Sequence, residues 1–167
     1  FVPSGSDQDR LRAVAARTID AAIATPDFAA RPEFRLKTLA VASEVLPQFL
    51  HQCLITRGDV IRTRRPLVVA FVVAEMNAYG FALAHRDKVI SLTRRIAGLP
   101  PGDPLADVNY REVVEQRAVS PALEIDLDKL RWLRDLLAED GRMAAKFDPA
   151  AVIDPSLREA ALMRVNK

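Results

Sequence analysis

The distribution of apolar residues changes at Asp59, and this change constrains the fold more than any other feature of the sequence. Before Asp59, apolar residues come in short runs that contain β-branched side chains and end at proline or polar turns. After it, apolar residues recur with the spacing of helices. The short runs predict buried strands over residues 18–24, 35–42 and 49–56. The expected fold class is therefore α/β, with a βαββ-like first third and a predominantly helical remainder.

Capping residues and helix stops place the expected helices. Ser6 or Asp7 is suited to cap a first helix over residues 7–16, and Pro26 suits the first turn of a short helix that stops before Pro32. The remaining helices are expected near Val60, from Pro66, over 87–97 before Gly98, over 103–119, from the Asp126 cap to Gly141, and after Asp148-Pro149 and Asp154-Pro155.

Composition excludes several classes of protein. Of the 167 residues 50% are apolar and 28% charged, and the net charge is +2, so the chain has the make-up of a globular protein. Basic and acidic side chains are interspersed, which argues against nucleic acid as a partner. Cys53 is the only cysteine, so no internal disulfide is expected. The longest uninterrupted apolar run, residues 67–74, is too short to span a bilayer, and we expect a soluble chain.

The first residues carry no targeting signal. Residues 1–5 are not basic and no apolar segment of signal-peptide type follows them. The sequence begins without methionine, which suggests an excised or processed piece whose targeting information lies elsewhere. Localisation must therefore come from other arguments.

Three segments of the chain carry a resemblance to a known protein family. Each joins an apolar run to a turn that contains Pro or Asp. They are residues 6–28 with Ile-Asp-Ala-Ala at 19–22 and Thr-Pro at 25–26, residues 59–79 with Arg-Pro-Leu-Val-Val-Ala-Phe at 65–71, and residues 120–157 with Asp-Pro at 148–149 and Val-Ile-Asp at 152–154. In this order they resemble the C-terminal half of the nitrate/sulfonate/taurine-type substrate-binding proteins of ABC transporters, which include binders of thiamine precursors.

The resemblance covers nearly the whole chain, with two departures. Ala16-Arg17 stands where the family usually has a glycine before its Asp-Ala strand. The family's N-terminal half, with its own strands and ligand contacts, has no counterpart in this sequence. The resemblance implies part of a type II periplasmic-binding-protein fold: residues 1–45 end one lobe, 46–56 form a crossover strand at the hinge, and 57–167 form the other lobe with its C-terminal helices.

The function implied by this resemblance is ligand capture. A small polar or anionic solute (a sulfonate, nitrate, taurine or a pyrimidine-like molecule) would bind in the cleft between two lobes and be delivered to an ABC permease. The implied location is periplasmic or otherwise extracytoplasmic, with membrane contact only through the permease or a lipid anchor outside this chain. No catalysis and no cofactor are expected.

The expected ligand site lies at the end of the first predicted strand. Thr25, Pro26, Asp27 and Phe28 stand where a strand ends and a helix begins, and the free backbone N–H groups of such a place favour an anionic or polar group. Thr25 adds a hydroxyl and Phe28 an apolar wall. The same four residues also suit an ordinary helix start.

Two further residues are candidates for ligand contact. Asp20, near the start of the predicted strand, could meet the solute, although such a carboxylate more often accepts backbone N–H bonds. Gln48, in the turn near the predicted hinge, could reach the cleft.

Other chemistries find little support in the sequence. His51 and His85 are far apart and lack partners at the spacing of metal ligands, so zinc is not expected. Cys53 lies in an apolar run and is expected to be an inert core residue. Two alternatives to transport stay open: an enzyme related to thiamine-pyrimidine synthesis, which would need a His or Cys cluster, and a ligand-sensing module of a signalling system.

Overall fold

The computed structural model describes residues 5–25, 32–50, 53–116 and 118–165, and within these ranges it contains helices and no β-strand. Short 3₁₀ turns occur at Pro32–Phe34 and Pro149–Val152, and one π-helical turn at Arg111–Glu115. The α-helices are α1 Asp7–Ala15, α2 Ala42–Val45, α3 Gly58–Ala84, α4 Arg86–Ala97, α5 Leu105–Tyr110, α6 Leu127–Glu139 and α7 Pro155–Val165.

The expected α/β fold is wrong. The runs predicted as strands, 18–24, 35–42 and 49–56, lie in bends, coil and the start of α2 wherever they are described. Without a paired neighbour a strand leaves its backbone groups and its apolar side chains in water. Ile23 and Ile55, which the strands were to bury, are 82% and 92% exposed.

The type II periplasmic-binding-protein architecture is therefore overturned, and the described residues of its expected crossover, 46–50 and 53–56, form no strand. A short apolar run does not show whether it will pair with another strand. A run of this length has no periodicity that distinguishes a strand from a collapsed or exposed segment. The capping and stop residues predicted the helices more accurately. These signals depend on local hydrogen bonds that each segment makes with itself.

Two predicted helix caps and one predicted helix stop are confirmed. Ser6 caps α1 in a reciprocal box: its Oγ accepts from the Asp9 N–H at 3.3 Å, and the Asp9 carboxylate accepts from the Ser6 N–H at 3.1 Å. Asp126 caps α6 by accepting the N–H groups of residues 128 and 129 at 2.9 and 3.2 Å. Gly98 ends α4 in the left-handed conformation, with φ of 62°, as the sequence predicted.

The two helices expected near Val60 and from Pro66 are joined across a kink within α3. Pro66 carries no N–H group and disfavours helical geometry in the residues before it. Arg64 departs from the helix with φ of −134° and ψ of 32°, and the helix resumes after it. From Pro66 onward α3 is a continuous apolar helix.

Among the described residues, α3 is long and apolar enough to cross a membrane by length and composition, and 11% of its most apolar stretch is buried. The uninterrupted run of residues 67–74 is shorter because Glu75 and Asn77 follow it. Solubility of the chain stays a prediction.

The chain divides into two compact units, each with a small core of its own. Residues 1–39 and 82–118 form unit 1, and residues 40–81 and 119–167 form unit 2. In unit 1, Tyr110 packs with Ile90 of α4, and its hydroxyl donates to the Ala82 carbonyl at 2.7 Å. In unit 2, Val69 and Met76 of α3 pack on Ala161 of α7. The assignment of residues 1–45 and 57–167 to two lobes stays a prediction.

The Asp126 cap provides a test of how α6 is held. Asp126→Ala leaves two N–H groups of the first turn without an acceptor, and we expect the free energy of unfolding to fall by about 1 kcal/mol. Urea denaturation followed by circular dichroism measures this loss. Asp128→Ala is the matched control, because Asp128 is exposed and its carboxylate pairs with Arg131 and caps no amide. Equal losses in the two variants would contradict the capping role.

Candidate functional site

Asp7 occupies the polar groups of Thr25 that the sequence assigned to a ligand. The Thr25 backbone N–H donates to Asp7 Oδ2 at 2.9 Å, and the Thr25 hydroxyl donates to the same oxygen at 3.1 Å. These two bonds, the backbone one first, and the Arg10 guanidinium lower the pKa of Asp7. Pro26, Asp27 and Phe28 lie outside the described residues, so their role as ligand contacts stays a prediction.

Asp20 and Gln48 are both exposed, and they belong to different units. Asp20 lies in a bend after α1, and Gln48 in a turn after α2. The strand and the hinge that were to bring them to one cleft do not exist among the described residues. Their ligand contacts stay a prediction.

A cavity of about 260 Å³ lies in unit 2, between the segment that leads into α6 and the segment that leads into α7. Two Asp-Pro turns shape its second wall. Asp148 accepts the Ala150 N–H at 3.0 Å, and Asp154 accepts the Ser156 N–H at 3.1 Å, so each turn is fixed by its own carboxylate. The lining residues are Glu124, Ile125, Leu127, Ala150, Ile153, Asp154, Pro155 and Arg158.

Arg158 is the cation of this cavity. Its Nε–H donates to the Ala122 carbonyl at 2.7 Å, which fixes the plane of the guanidinium. One terminal NH₂ group donates to Glu124 Oε1 at 2.9 Å. The Glu124 side chain is 65% exposed while that of Arg158 is mostly covered, so water competes for the carboxylate more than for the guanidinium. The carboxylate that pairs with Arg158 is therefore an exposed one.

Asp154 joins the cavity to α3. Arg65 approaches Asp154 Oδ2 at 3.3 Å and donates to the Ser156 hydroxyl at 2.7 Å. The Ser156 hydroxyl also donates to Asp154, and this bond, ahead of the Arg65 charge, lowers the pKa of Asp154 below its ordinary value of 3.8. Asp154 is consequently ionised at neutral pH and already has its own cation. Arg158, in contrast, lines the cavity and pairs with the exposed carboxylate of Glu124.

A second cavity, of about 280 Å³, lies in unit 1 and is lined mainly by charged groups. Asp107 accepts from Arg94 at 2.6 Å and from Arg86 at 3.4 Å, and Glu115 accepts from Arg86 at 3.3 Å. The Arg86 guanidinium also lies 5.5 Å from the centre of the Tyr110 ring. Cations and carboxylates here pair with one another, and the cluster joins α4 to α5, while the buried Arg94 Nε–H has no hydrogen-bond acceptor in the described part of the chain.

No group of three His, Cys, Asp or Glu side chains that could hold a metal occurs in the described ranges. Cys53 is exposed, so its expected burial in a strand is wrong. His51 lies outside the described residues. The sequence offered no reason to single out Arg158 or Glu124, since both lie among interspersed charges. The Asp-Pro turn at 154–155 was the available signal that a shaped loop lies beside them.

Comparisons of this chain with protein-family models, with curated proteins and with solved structures found no match. The resemblance to the substrate-binding proteins of ABC transporters therefore stays a prediction from the sequence.

The lowered pKa of Asp154 predicts how stability depends on pH. In the folded protein the ionised Asp154 accepts a hydrogen bond from Ser156 and interacts with the charge of Arg65. Its contribution to the free energy of unfolding is therefore fully present above pH 3.8 and is lost as the pH falls through the lower pKa of the folded state. We expect Asp154→Asn to be less stable than the wild type at pH 7 and to approach it in acid. Thermal unfolding across this pH range measures the difference. A difference that is the same at every pH would contradict this assignment.

Proposed function

We propose that this chain is a binding component for a small polar or anionic solute, acting outside the cytoplasm to supply an ABC permease. The structural support for the proposal is the cavity beside Arg158. The resemblance to nitrate/sulfonate/taurine-type binding proteins is a prediction from the sequence, and the fold that it implied is not the observed one. The proposed site differs from the one predicted at Thr25, whose polar groups bind Asp7. The proposed role is capture and delivery, without catalysis and without a cofactor.

The size of the cavity favours a small solute. Ligand pockets for drug-sized molecules occupy roughly 300–1,000 Å³. A cavity of about 260 Å³ lies just below this range and suits one small ion or a single heterocycle better than a nucleotide. The sulfonates, taurine, nitrate and pyrimidines implied by the resemblance are all of this size class.

The proposal rests on the Arg158 guanidinium, which is oriented by a backbone carbonyl and pairs with an exposed carboxylate. The Ala122 carbonyl orients it, so a ligand does not have to immobilise a free side chain on binding. Its exposed partner Glu124 is the group that a sulfonate or carboxylate would replace, and a planar guanidinium can hold such a group through two parallel hydrogen bonds. Ile125 and Ile153 supply apolar walls for the rest of the solute.

Isothermal titration calorimetry with taurine, a short alkanesulfonate, nitrate and a pyrimidine tests this site. Arg158→Gln removes the cation and should weaken anion binding by about tenfold or more. Glu124→Gln removes the competing carboxylate and should strengthen anion binding by about threefold, the scale of an exposed ion pair.

Arg142→Gln is the matched control, because Arg142 forms an exposed pair with Asp140 and does not line the cavity. It should leave affinity unchanged. If no probe binds the wild type, or if Arg142→Gln weakens binding as much as Arg158→Gln, the proposed site is wrong.

A further inference from the structure

The ion pair of Arg158 and Glu124 leaves a hydrogen-bond donor and a hydrogen-bond acceptor unused. Arg158 donates its Nε–H to the Ala122 carbonyl and one terminal NH₂ group, Nη2, to Glu124 Oε1. In the described part of the chain nothing accepts from the other NH₂ group, Nη1, and nothing donates to Glu124 Oε2. Both residues line the cavity of unit 2. The pair therefore offers a cationic donor and an anionic acceptor next to one another.

The charges of the cavity lining disfavour a solute that carries only negative charge. The ionisable lining residues are Glu124, Asp154 and Arg158, so two carboxylates accompany one guanidinium. Arg65 pairs with Asp154 but does not line the cavity. A simple anion on Arg158 would lie near these carboxylates, and like charges repel. A solute that carries a positive group as well as a negative one offsets this repulsion.

Glu124 is the carboxylate that is available to a positive group of the solute. One oxygen of Asp154 accepts both the N–H and the hydroxyl of Ser156, and its other oxygen lies 3.3 Å from Arg65. Glu124 pairs with Arg158 through one oxygen, and its side chain is mostly exposed. An ammonium group has three N–H donors and no acceptor. It can bind Glu124 Oε2 while the Arg158 pair and the contacts of Asp154 stay in place.

The remaining lining suits a short carbon chain between the two charged groups. Ile125, Leu127 and Ile153 are apolar, and the volume of about 260 Å³ admits only a small molecule. Resting on the solute-binding role proposed for this cavity, we infer that its solute is a short zwitterion. The sulfonate or carboxylate of the solute accepts from Arg158 Nη1, and its ammonium group donates to Glu124.

Isothermal titration calorimetry on the full chain with taurine, ethanesulfonate and ethylammonium chloride tests this inference. Ethanesulfonate lacks the ammonium group of taurine, and ethylammonium lacks its sulfonate. Taurine should bind about fivefold more tightly than either, which is the scale of one exposed ion pair. Ethanesulfonate or ethylammonium that binds as tightly as taurine would overturn the zwitterion.

The sign of the Glu124→Gln effect provides a second test. This variant should weaken taurine binding about fivefold, whereas it should strengthen ethanesulfonate binding as it does for other simple anions. Glu159→Gln is the matched control, because Glu159 is exposed on α7 next to Arg158 in the sequence but does not line the cavity. It should change neither affinity, and circular dichroism confirms that both variants keep their helices.

The outcomes separate this inference from the proposed function. If ethanesulfonate binds and Glu124→Gln strengthens the binding of taurine as well, the anion site stands and the zwitterion is wrong. The same holds if Glu159→Gln weakens taurine binding as much as Glu124→Gln does. If none of the three probes binds the wild type, the proposed function and this inference are both wrong.

Discussion

The contact between α3 and α7 is the interaction on which unit 2 depends. Val69 and Met76 of α3 pack against Ala161 of α7, and Ala161 is fully buried. Isolated helices of eleven residues are marginal in water, so α7 needs this apolar contact to persist. Arg65 and Asp154 add an ion pair at the start of α7, where the chain enters the helix. Removing this contact would expose Val69 and Met76 to water.

The same junction shapes the candidate solute cavity. Asp154 caps α7, pairs with Arg65 and lines the cavity, so one carboxylate serves the helix, the inter-helix contact and the cavity wall. Arg158 follows one helical turn later on α7 and is oriented by the Ala122 carbonyl. The position of the proposed anion-binding group is thus set by the packing of α7 on α3. A weakened core would disturb the cavity as well as the fold.

Local signals in the sequence predicted much of the helical structure, and long-range pairing was what they missed. The caps at Ser6 and Asp126 and the stop at Gly98 could be predicted because each depends on hydrogen bonds within a few residues. The runs around Ile23 and Ile55 gave no such information, since a strand depends on neighbours from elsewhere in the chain. The type II binding-protein fold failed with those strands.

The residues of the candidate site were not predicted from the sequence. A ligand was expected at Thr25, whose N–H and hydroxyl instead bind Asp7 from eighteen residues away. That bond is invisible in the sequence, because an acidic residue in the first turn of α1 is already explained by the helix dipole. Arg158 and Glu124 become meaningful only when folding brings Ala122 beside the guanidinium.

The exposed position of Cys53 makes the chain open to optical study without redesign. As the single cysteine of the sequence it accepts one maleimide dye per chain at a known place. It does not line the candidate cavity and does not lie on α3. A fluorophore there can report rotational diffusion or energy transfer between molecules, while the residues that line the candidate cavity stay unmodified.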